Sequence, residues 1–302
     1  MSFKKQHQYG SKLVEQAIDL VPGFKESYAV FLEQNTIRQS SKSMLLNYSR
    51  SIAQVALHFG LSPEKISAQE INSYLYHLSV HQLQSLSYFK HTIYGMRHWF
   101  RLFNLEEQAL RLPPLKKKDV LPTVLSKEEC KALFKAPRSF KHRFMLALAY
   151  SSGLRMNELR HLRISDVDVD RKQIHIRQGK GNKSRYVILS KFIAQKLPQY
   201  LQELKPQLYL FEGTIVGSPM GERSIQYVIN EALRKTEIRK EVSMHTLRHS
   251  YATHLLEDGL DVFSIQRLLG HADIRSTMVY LHVARINPTK GHSPLDTLYN
   301  IK

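Results

Sequence analysis

The segment QIHIRQGKGNKSRYVIL, residues 173–189, carries the first strong strand pattern in a chain whose other patterns are helical. Its two arms are rich in β-branched and aromatic residues, and the glycine-rich connection QGKGNK joins them as a β-hairpin would. The connection projects two lysines, Lys180 and Lys183. One hairpin among many helices predicts a mainly α protein with a small β-sheet, in the α+β class.

The region before residue 112 shows amphipathic helical patterns throughout. The stretch SKSMLLNYSRSIAQVALHFG, residues 41–60, has apolar residues at helical spacing and a glycine at its end. SAQEINSYLYHLSV opens with a capping box, Ser67 to Glu70. With GFKESYAVFLEQ and SLSYFKHTIYGMRHWFRLFN, the region is predicted to hold about four helices, with its aromatic residues in the core.

The stretch LPPLKKKDVLP, residues 112–122, marks a domain boundary because its prolines stop helices. We therefore predict a helical domain over 1–111, a linker over 112–122 and a second domain over 123–302. The linker lysines, Lys116, Lys117 and Lys118, suit a path along a phosphate backbone and equally suit a solvated tether.

The second domain begins with another capping box, Ser126 to Glu129. A helical pattern continues through HRFMLALAYSSGLRMNELRHL, residues 142–162, and helical patterns resume after the hairpin at SIQYVINEALRKT. This order predicts a mixed α/β domain.

The charge balance points to a polyanionic partner. The 302 residues include 44 Lys+Arg and 26 Asp+Glu, which gives a net charge of +18 that both halves share. The single cysteine, Cys130, excludes a disulfide framework and a cysteine zinc cluster. No apolar stretch approaches the ~20 residues of a membrane span, and no signal peptide is evident. We expect a cytoplasmic protein that binds nucleic acid and no membrane.

Two histidine-containing stretches carry candidate chemistry. In MHTLRHSYATHLLEDG, His245 and Arg248 are three residues apart, which suits a phosphate site or, alternatively, a surface His–Arg pair. In LLGHADIRSTMVYLHV, residues 268–283, Tyr280 follows His271 by nine residues and is either a half-buried aromatic or a nucleophile. No zinc-site spacing is present, so no metal is predicted.

Five motifs follow one another in a fixed order: GLRMNEL, GKGNK, HTLRH, LLGH and the tyrosine nine residues later. This set resembles the tyrosine recombinase (phage integrase) family, of Xer-like or integron type, over residues 125–283. The N-terminal region is similar to the core-binding domain of that family. The resemblance implies a helical bundle and a mixed α/β catalytic domain that together form a clamp around DNA.

By this resemblance Tyr280 is the nucleophile, which attacks the scissile phosphate and leaves a 3′-phosphotyrosyl link and a free 5′-hydroxyl. A phenol with a pKa of ~10 is protonated at neutral pH and needs activation. Arg155 and Arg248 would hold the non-bridging phosphate oxygens as negative charge builds.

The resemblance also assigns the remaining roles. Lys180 would protonate the departing 5′-oxygen, with Lys183 as its rival for that role. His245 would act as general base toward the tyrosine, His271 would hydrogen-bond the phosphate, and Glu158 would orient the cluster. One phosphodiester is exchanged for another, so neither cofactor nor metal is required.

The partners that the resemblance implies are double-stranded DNA with inverted half-sites, a homodimer on one site and a homotetramer at the synapse. An accessory DNA-bending protein or a partner recombinase is a further expectation. The activity would serve integration or excision of a mobile element. A relaxing enzyme like type IB topoisomerases and a DNA-binding protein without catalysis are the alternatives.

Several other residues are assigned from their position relative to the motifs. Tyr251 and Tyr227 are the rivals of Tyr280, and Tyr251 is predicted to be core because it lies on an apolar helical stripe. His249 and His282 match no motif position and are interpreted as structural or DNA-contacting. The basic residues predicted to contact DNA are Lys42, Lys90, Arg97, Lys116, Lys117, Lys118 and Lys183.

Overall fold

The computed structural model describes residues 12–81, 84–106, 109–111, 121–177 and 184–284. The chain divides into two units, Met1–Asp119 and Val120–Lys302, each with a hydrophobic core of its own. The predicted linker, 112–122, lies outside the described residues except for its last two positions. No helix in the described part of the chain is long and apolar enough to cross a membrane.

The described part of the N-terminal unit contains five α-helices: α1 (Lys12–Leu20), α2 (Phe24–Ile37), α3 (Lys42–Phe59), α4 (Ala68–Val80) and α5 (Leu86–Leu102). Its core is aromatic, because the Trp99 ring stacks on Phe24 and Phe31 at centroid distances of 5.9 and 5.5 Å. The sequence patterns predict α2 to α5 but not α1. Helix α1 is amphipathic and buries Val14 and Ala17, but it has only nine residues, a length at which a helix is marginal without tertiary packing.

Both predicted capping boxes are confirmed. The backbone N–H of Glu70 donates to Ser67 Oγ at 3.2 Å, and the Ser67 N–H donates to Glu70 Oε2 at 2.9 Å. The pair Ser126 and Glu129 repeats this geometry at 3.1 and 2.7 Å. Each box satisfies two backbone donors that have no partner inside the helix, which fixes the start of α4 and of the first helix of the second unit.

The described part of the C-terminal unit contains eight α-helices and three strands. They are α6 (Lys127–Lys135), α7 (Phe140–Ser151), α8 (Met156–Arg160), β1 (Val167–Asp168), β2 (Gln173–Ile176), β3 (Arg185–Ile188), α9 (Lys191–Leu204), α10 (Glu222–Leu233), α11 (Met244–Glu257), α12 (Val262–Leu269) and α13 (Arg275–Met278). The strands form one antiparallel sheet in the order β1-β2-β3. Ile174 pairs with Val187 and both are buried, so one face of the hairpin packs on the core. The predicted fold class, mainly α with a small sheet, is confirmed.

Three features of this unit differ from the sequence prediction. The helix expected over 142–162 is broken between α7 and α8, where Gly153 has a φ of +57° that a helix does not tolerate. Helix α9 was not predicted, because Pro198 in its interior disfavours a helix on local grounds. Strand β1 has only two residues, too few to give an alternating pattern.

A small apolar cluster lies apart from the main core of the C-terminal unit. Its buried members are Tyr251, Ala252, Ile265, Leu269 and Tyr280. They come from α11, α12 and the 3₁₀ turn Val279–His282, so this cluster fixes the position of the turn that carries Tyr280.

Candidate active site

Three arginines from three different elements donate to three consecutive carbonyls at the end of α12. Arg185 Nε donates to Leu268 O at 3.0 Å, Arg248 Nη2 to Leu269 O at 2.7 Å and Arg155 Nη2 to Gly270 O at 3.2 Å. The last carbonyls of a helix lack intrahelical partners and carry partial negative charge, so cations are stabilised there. We call Arg155, Arg185 and Arg248 the arginine cluster.

Two glycines allow these segments to approach one another. Gly270 has a φ of +63°, and a Cβ atom there would lie 2.9 Å from Arg185 Cδ. Gly153 has a φ of +57°, and a Cβ atom there would lie 2.5 Å from Tyr251 Cδ1. The carbonyl of Gly153 also accepts a 2.7 Å bond from Arg248 Nη1. The glycines of the GLR and LLGH motifs are therefore needed for close packing around the arginine cluster.

Glu158 is the buried carboxylate of the cluster. It accepts bonds from Arg155 Nη1 at 2.8 Å and from the Arg155 backbone N–H at 2.9 Å. It also accepts two bonds from Arg185, at 2.7 and 2.8 Å. Burial alone raises the pKa of Glu158, but the hydrogen bonds and charge of Arg185, followed by those of Arg155, lower it to about 2. Glu158 is thus ionised at neutral pH and fixes two guanidinium groups.

Arg185 is a site residue that sequence reasoning missed. Strand residues alternate between faces, and Arg185 shares a face with the buried Val187 while Tyr186 and Ile188 are exposed. An arginine on the inner face of a half-buried strand signals a buried partner, since lone buried charges are costly. That signal was present in the sequence, but it did not identify Glu158 as the partner.

Arg248 is 3% exposed, so the alternative of a surface His–Arg pair on α11 is wrong for this residue. Burial lowers its pKa to about 10, and repulsion from Arg155 and Arg185 contributes. The guanidinium is still protonated at neutral pH. Its bonds to Gly153 O and Leu269 O use two of its five N–H groups. His245, one turn earlier, is exposed.

The electrostatics of the site favour an anion. The arginine cluster brings three cations together around one carboxylate, Glu158, and all four side chains are mostly withdrawn from solvent. Like charges in such a setting repel one another, and a bound anion relieves that repulsion. A phosphate group matches both the charge and the planar fork of a guanidinium.

Tyr280 lies next to this cluster and is 2% exposed. Its hydroxyl lies 3.1 Å from His249 Nδ1, and its ring stacks on His271 with a centroid distance of 6.4 Å and an interplanar angle of 20°. Burial raises the pKa of Tyr280, and the charges of Arg248 and Arg155 offset this only in part. The phenol is therefore protonated in the DNA-free protein.

His271 is held by its own neighbours. Its Nδ1 lies 2.9 Å from Thr277 Oγ1, and its backbone N–H donates to Gln266 O at 3.1 Å. Burial lowers the pKa of His271 to about 4, with help from the charges of Arg248 and Arg155. The ring is neutral at pH 7, and Nε2 is the nitrogen with which it can bond a ligand.

The remaining basic residues that the sequence predicts to be functional lie in the N-terminal unit or outside the described residues. Lys42 and Lys90 are exposed in the N-terminal unit, and Arg97 is half-buried there with Nη2 2.6 Å from Leu110 O. Five predicted lysines fall outside the described residues: Lys116, Lys117, Lys118, Lys180 and Lys183.

The two tyrosines considered as rivals of Tyr280 lie in different surroundings. Tyr251 is buried in the small apolar cluster, as predicted, whereas Tyr227 is 62% exposed on α10. His254 Nδ1 lies 2.7 Å from the Tyr150 hydroxyl. Among the described residues, no group of three His, Cys, Asp or Glu side chains is arranged to hold a metal ion.

Comparison with known proteins identifies the class. The model of the phage integrase family matches residues 123–286, which is more than half of the chain and spans every element of the site. The chain belongs to the phage integrase family. It is a tyrosine recombinase, and the two alternative activities are not favoured.

Named relatives agree with this assignment, and a solved structure shares the fold. A putative integrase/recombinase, y4qK, of Sinorhizobium fredii (strain NBRC 101917 / NGR234) is 32% identical over 88% of this chain and 87% of its own length. Tyrosine recombinase XerA of Thermococcus kodakarensis (strain ATCC BAA-918 / JCM 12380 / KOD1) is 36% identical over 63% of this chain and 69% of its own. The fold resembles that of XerH bound to palindromic difH substrate after cleavage, with a TM-score of 0.64 and 21% identity over 96% of this chain and 93% of that one.

Replacing Glu158 of the recombinase by glutamine is expected to lower the free energy of unfolding at pH 7 by about 3 kcal/mol, because two buried arginines lose their carboxylate. The pKa of Glu158 in the folded state, about 2, lies below its usual 4.5. Its stabilisation is therefore complete above about pH 4.5 and is lost as the pH falls toward 2. Urea unfolding followed by circular dichroism should show a smaller difference between variant and wild type at about pH 3.

The matched control is Glu222→Gln. Glu222 pairs with Arg160 at 2.7 Å, but its side chain is 57% exposed, so its loss should cost less than about 1 kcal/mol. A loss in the free energy of unfolding of Glu158→Gln that is the same at pH 3 and pH 7 would contradict the conclusion that ionised Glu158 stabilises the two arginines.

Proposed function

We propose that this recombinase cleaves DNA by attack of the Tyr280 hydroxyl on a phosphodiester, which forms a 3′-phosphotyrosyl link and releases a 5′-hydroxyl. The observation that carries the proposal is the arginine cluster beside the buried Tyr280. Three guanidinium groups around one carboxylate leave an excess of positive charge where a phosphate would meet the phenol.

The roles of the side chains follow from their chemistry. Arg155 and Arg248 bind the non-bridging oxygens, on which negative charge grows during the attack. His271 is neutral and donates from Nε2 to the same phosphate. Glu158 orients Arg155 and, through Arg185, the end of α12.

Two further groups complete the reaction. Lys180, on the hairpin connection, protonates the departing 5′-oxygen, with Lys183 as the alternative donor. His245, exposed on α11, is the histidine that the resemblance assigns as general base toward Tyr280. Because one phosphodiester replaces another, the bond energy is kept in the phosphotyrosyl link, and rejoining is attack by a 5′-hydroxyl on that link.

The biological setting is part of the proposal. Both domains, 1–111 and 123–302, contact duplex DNA with inverted half-sites. The net charge of +18 supports a long polyanionic partner. A dimer on each site and a tetramer at the synapse would let pairs of protomers cleave in turn, with a DNA-bending or partner recombinase protein as accessory. The event served is integration or excision of a mobile element, in the cytoplasm, where the single cysteine stays reduced.

The proposal is tested by covalent trapping without metal or ATP. Purified protein is mixed with nicked duplexes that tile the DNA flanking its own coding region, since a nick lets the 5′-hydroxyl fragment diffuse away. We expect a protein–DNA adduct that survives SDS at one sequence, and recombined ends when two intact sites are supplied. Specific binding without any adduct would contradict the proposed chemistry, and a changed linking number without recombined ends would point to a relaxing enzyme.

A further inference from the structure

The side chain that touches the Tyr280 hydroxyl is His249, a residue outside the five motifs. Its Nδ1 lies 3.1 Å from Tyr280 Oη, and the two rings are 5.7 Å apart between centroids. His249 follows Arg248 directly on α11 and is half-buried. His245 lies one turn earlier, is exposed, and has its ring centroid 6.5 Å from that of His249.

The protonation states fix the direction of this hydrogen bond. Burial lowers the pKa of His249 to about 4, and His245 and the charge of Arg248 contribute. The imidazole is therefore neutral at pH 7. Tyr280 is protonated, because burial raises the pKa of its phenol. A protonated phenol donates and an unprotonated Nδ1 accepts, so the phenol proton already points at His249.

We propose that His249, and not His245, accepts the phenol proton when Tyr280 attacks the phosphate, and returns it when the strand is rejoined. This inference rests on the proposed function. In the forward step the Tyr280 Oη–phosphorus bond forms and the bond between phosphorus and the 5′-oxygen breaks. The phenol proton passes to His249 Nδ1, and the 5′-oxygen takes a proton from Lys180.

Substrate binding would change one of the charges that act on His249. In the DNA-free protein, burial is the main cause that lowers the pKa of His249, and the charges of His245 and Arg248 lower it further. A phosphodiester bound to Arg248 brings negative charge to the same place and offsets the repulsion from Arg248. The basicity of His249 therefore rises as substrate binds, which is when the phenol must lose its proton.

The test uses full-length protein and a nicked duplex carrying the cleavage site mapped for the wild type. One version has an ordinary 5′-oxygen at that position and the other has a 5′-bridging sulfur. A thiolate leaves without being protonated, so the sulfur substrate removes the need for the acid but not for the base. Adduct formation is timed from pH 6 to pH 9 for wild type, His249→Asn, His245→Asn and Lys180→Ala.

We expect His249→Asn to slow cleavage by about 10²-fold at pH 7 on both substrates, because asparagine accepts the hydrogen bond but takes no proton. Its rate should recover by about tenfold for each pH unit as solvent deprotonates the phenol. His245→Asn should keep the pH profile of the wild type, and the sulfur should rescue Lys180→Ala alone. His249→Gln serves as the second variant if asparagine impairs folding, which thermal unfolding reports.

Three results would overturn the inference: a His249→Asn rate equal to or above that of wild type, rescue of His249→Asn by the sulfur, or a loss that is the same at every pH. A flattened pH profile in His245→Asn would instead assign the base to that residue. These outcomes all require a wild-type adduct. Failure of the wild type to form any adduct would reject the proposed function itself.

Discussion

Tyr280→Phe is expected to abolish the covalent adduct, with a loss of at least about 10⁴-fold in rate, while affinity for the same duplex is unchanged. The substitution removes one uncharged oxygen, the atom that we propose attacks phosphorus. The ring remains in the small apolar cluster with Tyr251 and Leu269, so the 3₁₀ turn keeps its position. Adduct formation on SDS gels and binding by fluorescence anisotropy measure the two quantities separately.

The matched control is Tyr251→Phe. Tyr251 belongs to the same apolar cluster, and its hydroxyl is buried with no hydrogen-bond partner among the described residues. Removing that hydroxyl should leave folding and adduct formation intact, since an unpaired buried polar atom contributes no stability. An adduct that persists in Tyr280→Phe and disappears in Tyr251→Phe would reverse the assignment.

Arg248→Gln is expected to slow adduct formation by about 10³-fold with little change in stability. Removal of an arginine that stabilises transferring phosphoryl charge costs about 10³ to 10⁵ in rate in other enzymes. The variant loses the hydrogen bonds to the carbonyls of Gly153 and Leu269, which destabilises the fold. It also removes a buried positive charge, which stabilises the fold, because burial disfavours that charge and lowers the pKa of Arg248 to about 10. These two effects on stability oppose each other, so the free energy of unfolding should change by less than about 2 kcal/mol.

Arg160→Gln provides the comparison, because Arg160 also bonds a backbone carbonyl, that of Met220, but belongs to no part of the site. Its adduct rate should match that of the wild type. If Arg248→Gln retained its rate and lost several kcal/mol of stability, Arg248 would be a structural residue only.

The sequence predicted the parts of the site that short motifs encode. Arg155, Glu158, Arg248, His271 and Tyr280 each lie in a local pattern of a few residues, and the structure brings these five together. The capping boxes and the hairpin were predictable for the same reason, since residues near in sequence determine them.

Contacts between distant segments were not predictable in this way. Arg185 meets Glu158 across 27 residues, and His249 meets Tyr280 across 31. The local sequence around one residue of a pair does not predict the other residue, because the packing of distant elements brings the two side chains together. The proposal that His249, and not His245, is the base therefore required the structure, where His245 is exposed and His249 touches the phenol.

The measurement that tests the central claim most directly is identification of the peptide that remains attached to DNA after trapping. Trypsin would release Tyr280 in STMVYLHVAR, residues 276–285, whereas Tyr251 and Tyr227 fall on two other tryptic peptides. Mass spectrometry of the nuclease-trimmed adduct should find a nucleotide on STMVYLHVAR, linked through a 3′-phosphate to its single tyrosine. A nucleotide on any other peptide, or a link through the 5′-phosphate, would contradict the account.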